Sequence, residues 1–175
     1  PILLDSKRKV LSFPPIINSN DLGKVTAETK HILVEVTCTM HETVLNTLEI
    51  VTLSLIDRGG KAYSARNYYP HEDLEIVTPK LDAWLMDLNV EYVNKVLGLQ
   101  LTARQIAKLL GKAGFGIEKL GLAKVTVQIP CYRIDVMHPI DLVEDIAIAF
   151  GYNKIKPLWR RMPTTGGVKP KQSLL

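Results

Sequence analysis

From His31 the chain reads HILVEVTC, with Ile32, Val34 and Val36 alternating against polar or branched neighbours at the two-residue period of a half-buried strand. The period changes in MHETVLNTLEIVTLSLIDRGG, where Val44, Leu48, Val51 and Leu55 recur at helical spacing until Gly59 and Gly60 stop the helix. KAYSARNYY then predicts another strand. Ahead of these lies VLSFPPIINS, in which Pro14 and Pro15 forbid a helix interior and predict extended chain. The first half is thus predicted as strand, helix, strand, and two or three strands with one helix make a thin core.

The pattern breaks at EIVTPKLD, around Pro79, and a more helical region follows. NVEYVNKVLG from Asn89 predicts a short helix. LTARQIAKLLGKAGF predicts a second, with Thr102 as its cap, Ile106, Leu109, Leu110 and Ala113 as its buried stripe, and Gly114 as its stop. KVTVQIP alternates Val125, Val127 and Ile129 as a strand. A last helix is predicted to begin at Asp141, with Leu142, Ile146, Ala149 and Phe150 facing the core. Helix, helix, strand, helix over roughly 70 residues is the content of a small winged-helix-like module. The predicted class is α+β: a mixed α/β segment over residues 1–80, a small helix-rich domain over 81–157 and a linker over 158–175.

Composition narrows this only modestly. A chain of 175 residues with 46% hydrophobic content can bury a core. The net charge of +4 comes from 22 basic and 18 acidic residues mixed along the chain, so a polyanionic partner is permitted rather than demanded. Cys38 and Cys131 form no CxxC pair, which argues against a disulfide framework or structural zinc and makes a reducing, cytoplasmic setting the expectation. No apolar run reaches the roughly 18 residues of a membrane span. His31, His41, His71 and His138 are scattered without ligand spacing, and GKAGFG follows no strand, so it reads as a helix stop rather than a phosphate cradle. An opening PILLD without methionine and a trailing MPTTGGVKPKQSLL read as ends cut from something longer.

The densest chemistry lies in YRIDVMHPIDLVEDIAIAFGY, which sets Asp135, Asp141, Glu144 and Asp145 beside Arg133. Asp141 followed by Glu144 fits a capping box, and acids in a first turn meet the positive end of the helix dipole. Asp145 adds a like charge at i+4 from Asp141, where such pairs repel. The cluster therefore calls for a cation: Arg133, a partner's basic residue, or a hard metal that prefers oxygen. Capping plus a solvated face is the simpler of these readings.

YRIDVMHPIDLVEDIAIAFGYNKI resembles the signature of phenylalanyl-tRNA synthetase beta chains. Upstream, VLSFPPIINSN, HILVEVTCT and the helix after them resemble the later part of the editing domain in the archaeal and eukaryotic type of that chain. The two segments together cover almost the whole sequence. The resemblance implies that Asp135, Asp141, Glu144 and Asp145 contribute to a magnesium site shared with an alpha subunit, in an enzyme of two alpha and two beta chains that joins phenylalanine to its tRNA with ATP. This segment alone is not expected to aminoacylate.

For the first half the resemblance implies removal of tyrosine wrongly attached to the phenylalanine tRNA, with Leu3, Ser12, Glu35 and Thr37 as the pocket. Leu3 would shape a wall, Glu35 would accept a hydrogen bond from the tyrosine hydroxyl, and Ser12 and Thr37 would orient the ester or a water. As i and i+2 on a predicted strand, Glu35 and Thr37 would face the same side. Two other classes of function stay open. One is a nucleic-acid-binding module using Arg104, Lys108 and Lys112 of the second helix. The other is a scaffold whose acids make salt bridges to an alpha chain.

Overall fold

A computed structural model describes residues 2–157; the linker expected over 158–175 lies outside them. The order of elements is β1 (Leu3–Leu4), β2 (Val10–Phe13), β3 (Ile17–Asn18), α1 (His41–Ile56), β4 (Ala65–Tyr69), β5 (Leu74–Thr78), β6 (Trp84–Asn89), α2 (Val90–Leu97), α3 (Ala103–Lys112), β7 (Gly116–Leu120), β8 (Lys124–Ile129) and α4 (Pro139–Phe150). A short 3-10 turn follows at Tyr152–Lys154. Every strand pairing is antiparallel, in three separate sheets ordered β1-β2-β3, β4-β5 and β6-β8-β7. Helices alternate along the chain with strands that pair only antiparallel, which is the α+β class expected.

The best-packed part is the second half. One face of β6-β8-β7 buries Leu88, Val125, Val127 and Ile129 against Val93 of α2, Ile106 and Leu110 of α3, and Leu142 and Ile146 of α4. Each helix is started by its own side chain. Asn89 Oδ1 accepts from the Tyr92 N–H at 3.1 Å, and Thr102 forms a capping box with Gln105. Gly98 and Gly114 close α2 and the α3 turn with positive φ angles of 65° and 89°, the left-handed region that glycine occupies most cheaply. Asn94 joins the two helices, donating to Leu101 O at 2.9 Å and accepting from Leu101 N at 2.6 Å.

Several expectations change. Residues 31–38 form no paired strand, and the alternation survives only in part: Val34 and Val36 are half-buried while Glu35 and Thr37 are exposed, but Ile32 is exposed as well. A period of two sets side-chain direction, but a strand also needs a neighbour to take its backbone hydrogen bonds. The strand expected from Lys61 begins only at Ala65, paired with a β5 that the Pro79 break had concealed. On α1 the one buried residue is Thr52, and Val51 and Leu55 stay exposed. The winged-helix-like half contains β6 and β7, two strands beyond the expected helix, helix, strand, helix. Finally, α4 begins at Pro139, not Asp141, because His138 is its extended N-cap and a proline at the first position carries the φ a helix needs. Its buried face is Leu142, Val143, Ile146 and Ala147, with Ala149 and Phe150 only half-buried.

Candidate functional sites

Two places gather the chemistry-bearing residues. The first is an open cleft of about 520 Å³ beside the β1-β2-β3 sheet, lined by Ser12, the Pro14–Asn18 turn, Glu35 and Thr37. Pro14 and Pro15 form the corner between β2 and β3, a place where missing backbone donors cost no ladder bond. The register of the sheet sets Ser12 opposite Asn18 on one side and Leu3 on the other. Ser12 is 9% exposed, and its hydroxyl has no hydrogen-bond partner among the described residues. Leaving a buried hydroxyl unpaired costs about 1 to 3 kcal/mol, so native proteins rarely do it without reason. Across the cleft the Thr37 hydroxyl donates to the Glu35 carboxylate.

Three of the four expected pocket residues, Ser12, Glu35 and Thr37, therefore line one cleft, while Leu3 stands one strand away opposite Ser12. Glu35 and Thr37 reach that shared side without belonging to a strand. Asn18, which the sequence reading passed over, also lines the cleft; its only sequence signal was a position three residues after the proline pair.

The second place is the loop into α4. Arg133 lies with its guanidinium 4.8 Å from the centre of the Phe115 ring. Its Nε and Nη2 grip Asp135 at 2.9 and 2.7 Å, and Nη2 also donates to Asp145 Oδ2 at 2.7 Å. Hydrogen bonding from Arg133 holds the Asp135 carboxyl below the usual carboxylate range, and the paired carboxylates, Asp135 first, raise the guanidinium's own pKa further. Asp141 is the third residue of α4 rather than its cap. Its Oδ2 accepts the backbone N–H groups of His138 and Met137 at 2.7 and 2.9 Å, while His138 Nδ1 accepts from the Ile140 N–H at 3.2 Å. The expected pairing of Asp141 with Glu144 as a capping box is replaced by this His138–Asp141 arrangement. Glu144 has neither a hydrogen bond nor an ion pair among the described residues and is exposed.

Carboxylate oxygens are the donors magnesium takes. Among the described residues, however, no three His, Cys, Asp or Glu side chains are grouped to hold a metal. Asp135 and Asp145 face Arg133 and Asp141 faces the start of α4, so the four acids do not by themselves make a metal site. Phe115, which supports Arg133, carried no signal in the sequence. On α3, Arg104, Lys108 and Lys112 are all exposed at four-residue spacing and so share one stripe of the helix. No described helix is long and apolar enough to cross a membrane.

Comparison with known proteins bears on both places. Residues 86–152, which run from β6 to the 3-10 turn, match the family model of the tRNA synthetase B5 domain. The phenylalanine–tRNA ligase beta subunit of Pyrococcus furiosus is 39% identical over 170 residues, 97% of this chain and 30% of the relative. That of Methanocella arvoryzae is 41% identical over 166 residues, 95% of this chain and 29% of the relative. The crystal structure of an N-terminal fragment of the phenylalanyl-tRNA synthetase beta-subunit from Pyrococcus horikoshii superimposes with a TM-score of 0.79 at 36% identity, covering 87% of this chain and 43% of that one. The chain spans about three-tenths of the length of the relatives it matches. Sequence identity, domain match and fold agree that the chain belongs to the phenylalanyl-tRNA synthetase beta-chain family, as a segment of it with a tRNA synthetase B5 domain at residues 86–152.

Proposed function

We propose that this segment serves a phenylalanine–tRNA ligase in two ways: residues 1–80 contribute part of a pocket that hydrolyses tyrosine misattached to the phenylalanine tRNA, and residues 81–157 form a helical domain that contacts tRNA and an alpha subunit. The observation that carries the first part is the buried, unpartnered Ser12 hydroxyl in the cleft it shares with Glu35 and Thr37.

The chemistry follows from what a synthetase cannot do elsewhere. A pocket shaped for phenylalanine rejects poorly an isostere that adds one hydroxyl, so a second site must recognise that hydroxyl. Glu35 is suited to accept its proton in a hydrogen bond. The Thr37 hydroxyl already donates to this carboxylate and so fixes its direction. Ser12 then offers a ready donor and acceptor to the ester carbonyl or to a water, and a ligand atom there would relieve the cost of the unpaired hydroxyl. Leu3, placed opposite Ser12, supports the strand that presents it.

In the second part, the exposed stripe of Arg104, Lys108 and Lys112 on α3 suits a phosphate backbone, which binds by charge and position rather than by base. A magnesium ion shared with the alpha chain would draw on Glu144 and the exposed edge of Asp135, the remaining oxygens coming from that chain. Activation of phenylalanine with ATP belongs to the assembled cytoplasmic enzyme of two alpha and two beta chains, not to this segment. Deacylation of tyrosyl-tRNA by the parent enzyme tests the reading: a chain with Ser12, Glu35 and Thr37 all changed to alanine should clear it no faster than water does. Clearance at the parent rate would contradict the assignment.

A further inference from the structure

A second cavity, of about 400 Å³, shares the extended segment 30–37 with the Ser12 cleft: Lys30, Ile32, Leu33 and Val34 line this one, Glu35 and Thr37 the other. Its body is apolar, formed by Ile32 and Val34 with Leu48, Leu55 and Ile56 of α1. Two buried hydroxyls interrupt that lining, Thr52 at 7% exposure and Thr78 at 8%. Thr78 Oγ1 accepts from Asn67 Nδ2 at 2.8 Å, which leaves its own O–H to donate. Every charged side chain at the cavity is a cation: Lys30, Arg58 and Lys61. The sign is a local property, since the Ser12 cleft holds Glu35 and the cleft between α1 and Arg133 holds Glu42, Glu49 and Asp82. Tyr63 also lines the cavity yet is 84% exposed, so its ring contributes little to the packing of this chain on itself.

We propose that this cavity takes a nucleotide from the single-stranded 3′ end of the tRNA, its base held by the apolar body and Tyr63 and its phosphates by Lys30, Arg58 and Lys61. The inference rests on the reading of residues 1–80 as an editing segment and adds to it where this half grips the RNA. The chemistry of the lining selects the occupant. A wholly apolar ligand leaves three cations unused, and a bare anion leaves the apolar body wet. A nucleotide joins an aromatic base to an anion in one ligand, and single-strand sites are built from the same two parts, aromatic rings for stacking and cations for the backbone. The free O–H of Thr78 suits the acceptor atoms on a base edge. A duplex is excluded because its bases stay stacked and paired. A free nucleotide has the same chemistry, but segment 30–37 favours the RNA: one run of eight residues serves both this cavity and the cleft where the ester is cut.

The test measures binding of a fluorescent single-stranded RNA of sequence ACCA to the parent enzyme by anisotropy, with unlabelled ACCA and adenosine monophosphate as competitors. Tyr63→Ala and the pair Lys30→Ala with Lys61→Ala are compared with the unsubstituted chain; Arg58 is kept, because its Nη1 donates to Ser54 O at 2.8 Å. Tyr63→Ala should weaken RNA binding about tenfold, as loss of a stacking surface does. The lysine pair should weaken it about tenfold at low salt and reduce the slope of log affinity against log salt by about 1.4. All three side chains are exposed, so melting temperatures should not move. Unchanged RNA affinity in both variants overturns the inference. So does competition by adenosine monophosphate at the same concentration as by ACCA, which would assign the cavity to a free nucleotide. A drop in melting temperature in Tyr63→Ala overturns it as well, because another part of the parent chain would then already cover the ring. Deacylation of tyrosyl-tRNA is followed in the same variants, where Tyr63→Ala should raise KM about tenfold and keep kcat. A parent enzyme that binds ACCA through these residues yet leaves tyrosyl-tRNA intact would support the nucleotide site and contradict the editing reading alone.

Discussion

Arg133 Nη2 lies 2.7 Å from Asp145 Oδ2, bringing the loop after β8 onto the second turn of α4 while the same guanidinium holds Asp135 and covers Phe115. Arg133 and Asp145 keep only 21% and 17% of their side-chain surface. Removing the cation leaves a mostly buried carboxylate without its partner, so the pair resists single substitution more than a surface salt bridge would.

Arg133→Met should therefore lower unfolding stability by about 2 to 3 kcal/mol, somewhat less than a fully buried pair, in urea denaturation at pH 7. The difference depends on pH with a definite sign. Asp135 has a folded-state pKa below its unfolded one, so its contribution is present above about pH 4 and fades as pH falls through the folded value. The gap between Arg133→Met and the unsubstituted chain should narrow below pH 4. A gap of constant size from pH 7 to pH 3 would show that the loss comes from packing on Phe115 and not from charge.

Ser12→Ala separates folding from function in the opposite direction. Deleting a buried hydroxyl that has no partner removes a cost, so the variant should be as stable as its parent or up to about 1 kcal/mol more stable. In the parent enzyme the same variant should hydrolyse tyrosyl-tRNA about tenfold more slowly, the equivalent of one lost hydrogen bond. A less stable Ser12→Ala would mean that the hydroxyl is paired in solution.

The basic stripe of α3 predicts a salt effect. Replacing Arg104, Lys108 and Lys112 together by alanine should weaken tRNA binding by the parent enzyme and reduce the slope of log affinity against log salt by about two to three. An unchanged slope would remove α3 from the tRNA contact. These three side chains point away from the buried Ile106 and Leu110, so the melting temperature should not move.

Most of the second half was legible from sequence because its signals are local. The Thr102 cap, the Gly114 stop and the Val125–Val127–Ile129 alternation each act within a few residues, and each appears where expected. What stayed hidden depends on distant partners. The Val34–Val36 alternation predicts a strand, yet nothing in HILVEVTC states whether a neighbour exists to pair with it. β6 was masked by the helix it leads into, and β7 by its short, polar character at a sheet edge. The acids of the α4 segment were visible, but their allegiances were not. That Asp141 caps from within the helix while Arg133 joins Asp135 to Asp145 depends on where Pro139 starts the helix and on Phe115 beneath the guanidinium.

The most direct measurement is hydrolysis of tyrosyl-tRNA by the parent enzyme carrying Glu35→Ala, with phenylalanine charging followed in parallel. A carboxylate that accepts a hydrogen bond from the tyrosine hydroxyl contributes about 1.5 to 3 kcal/mol to the wrong product alone. Hydrolysis should fall by about ten- to a hundredfold while charging with phenylalanine keeps its rate. Hydrolysis at the parent rate would contradict the assignment of this cleft, whatever the fold of the chain that holds it.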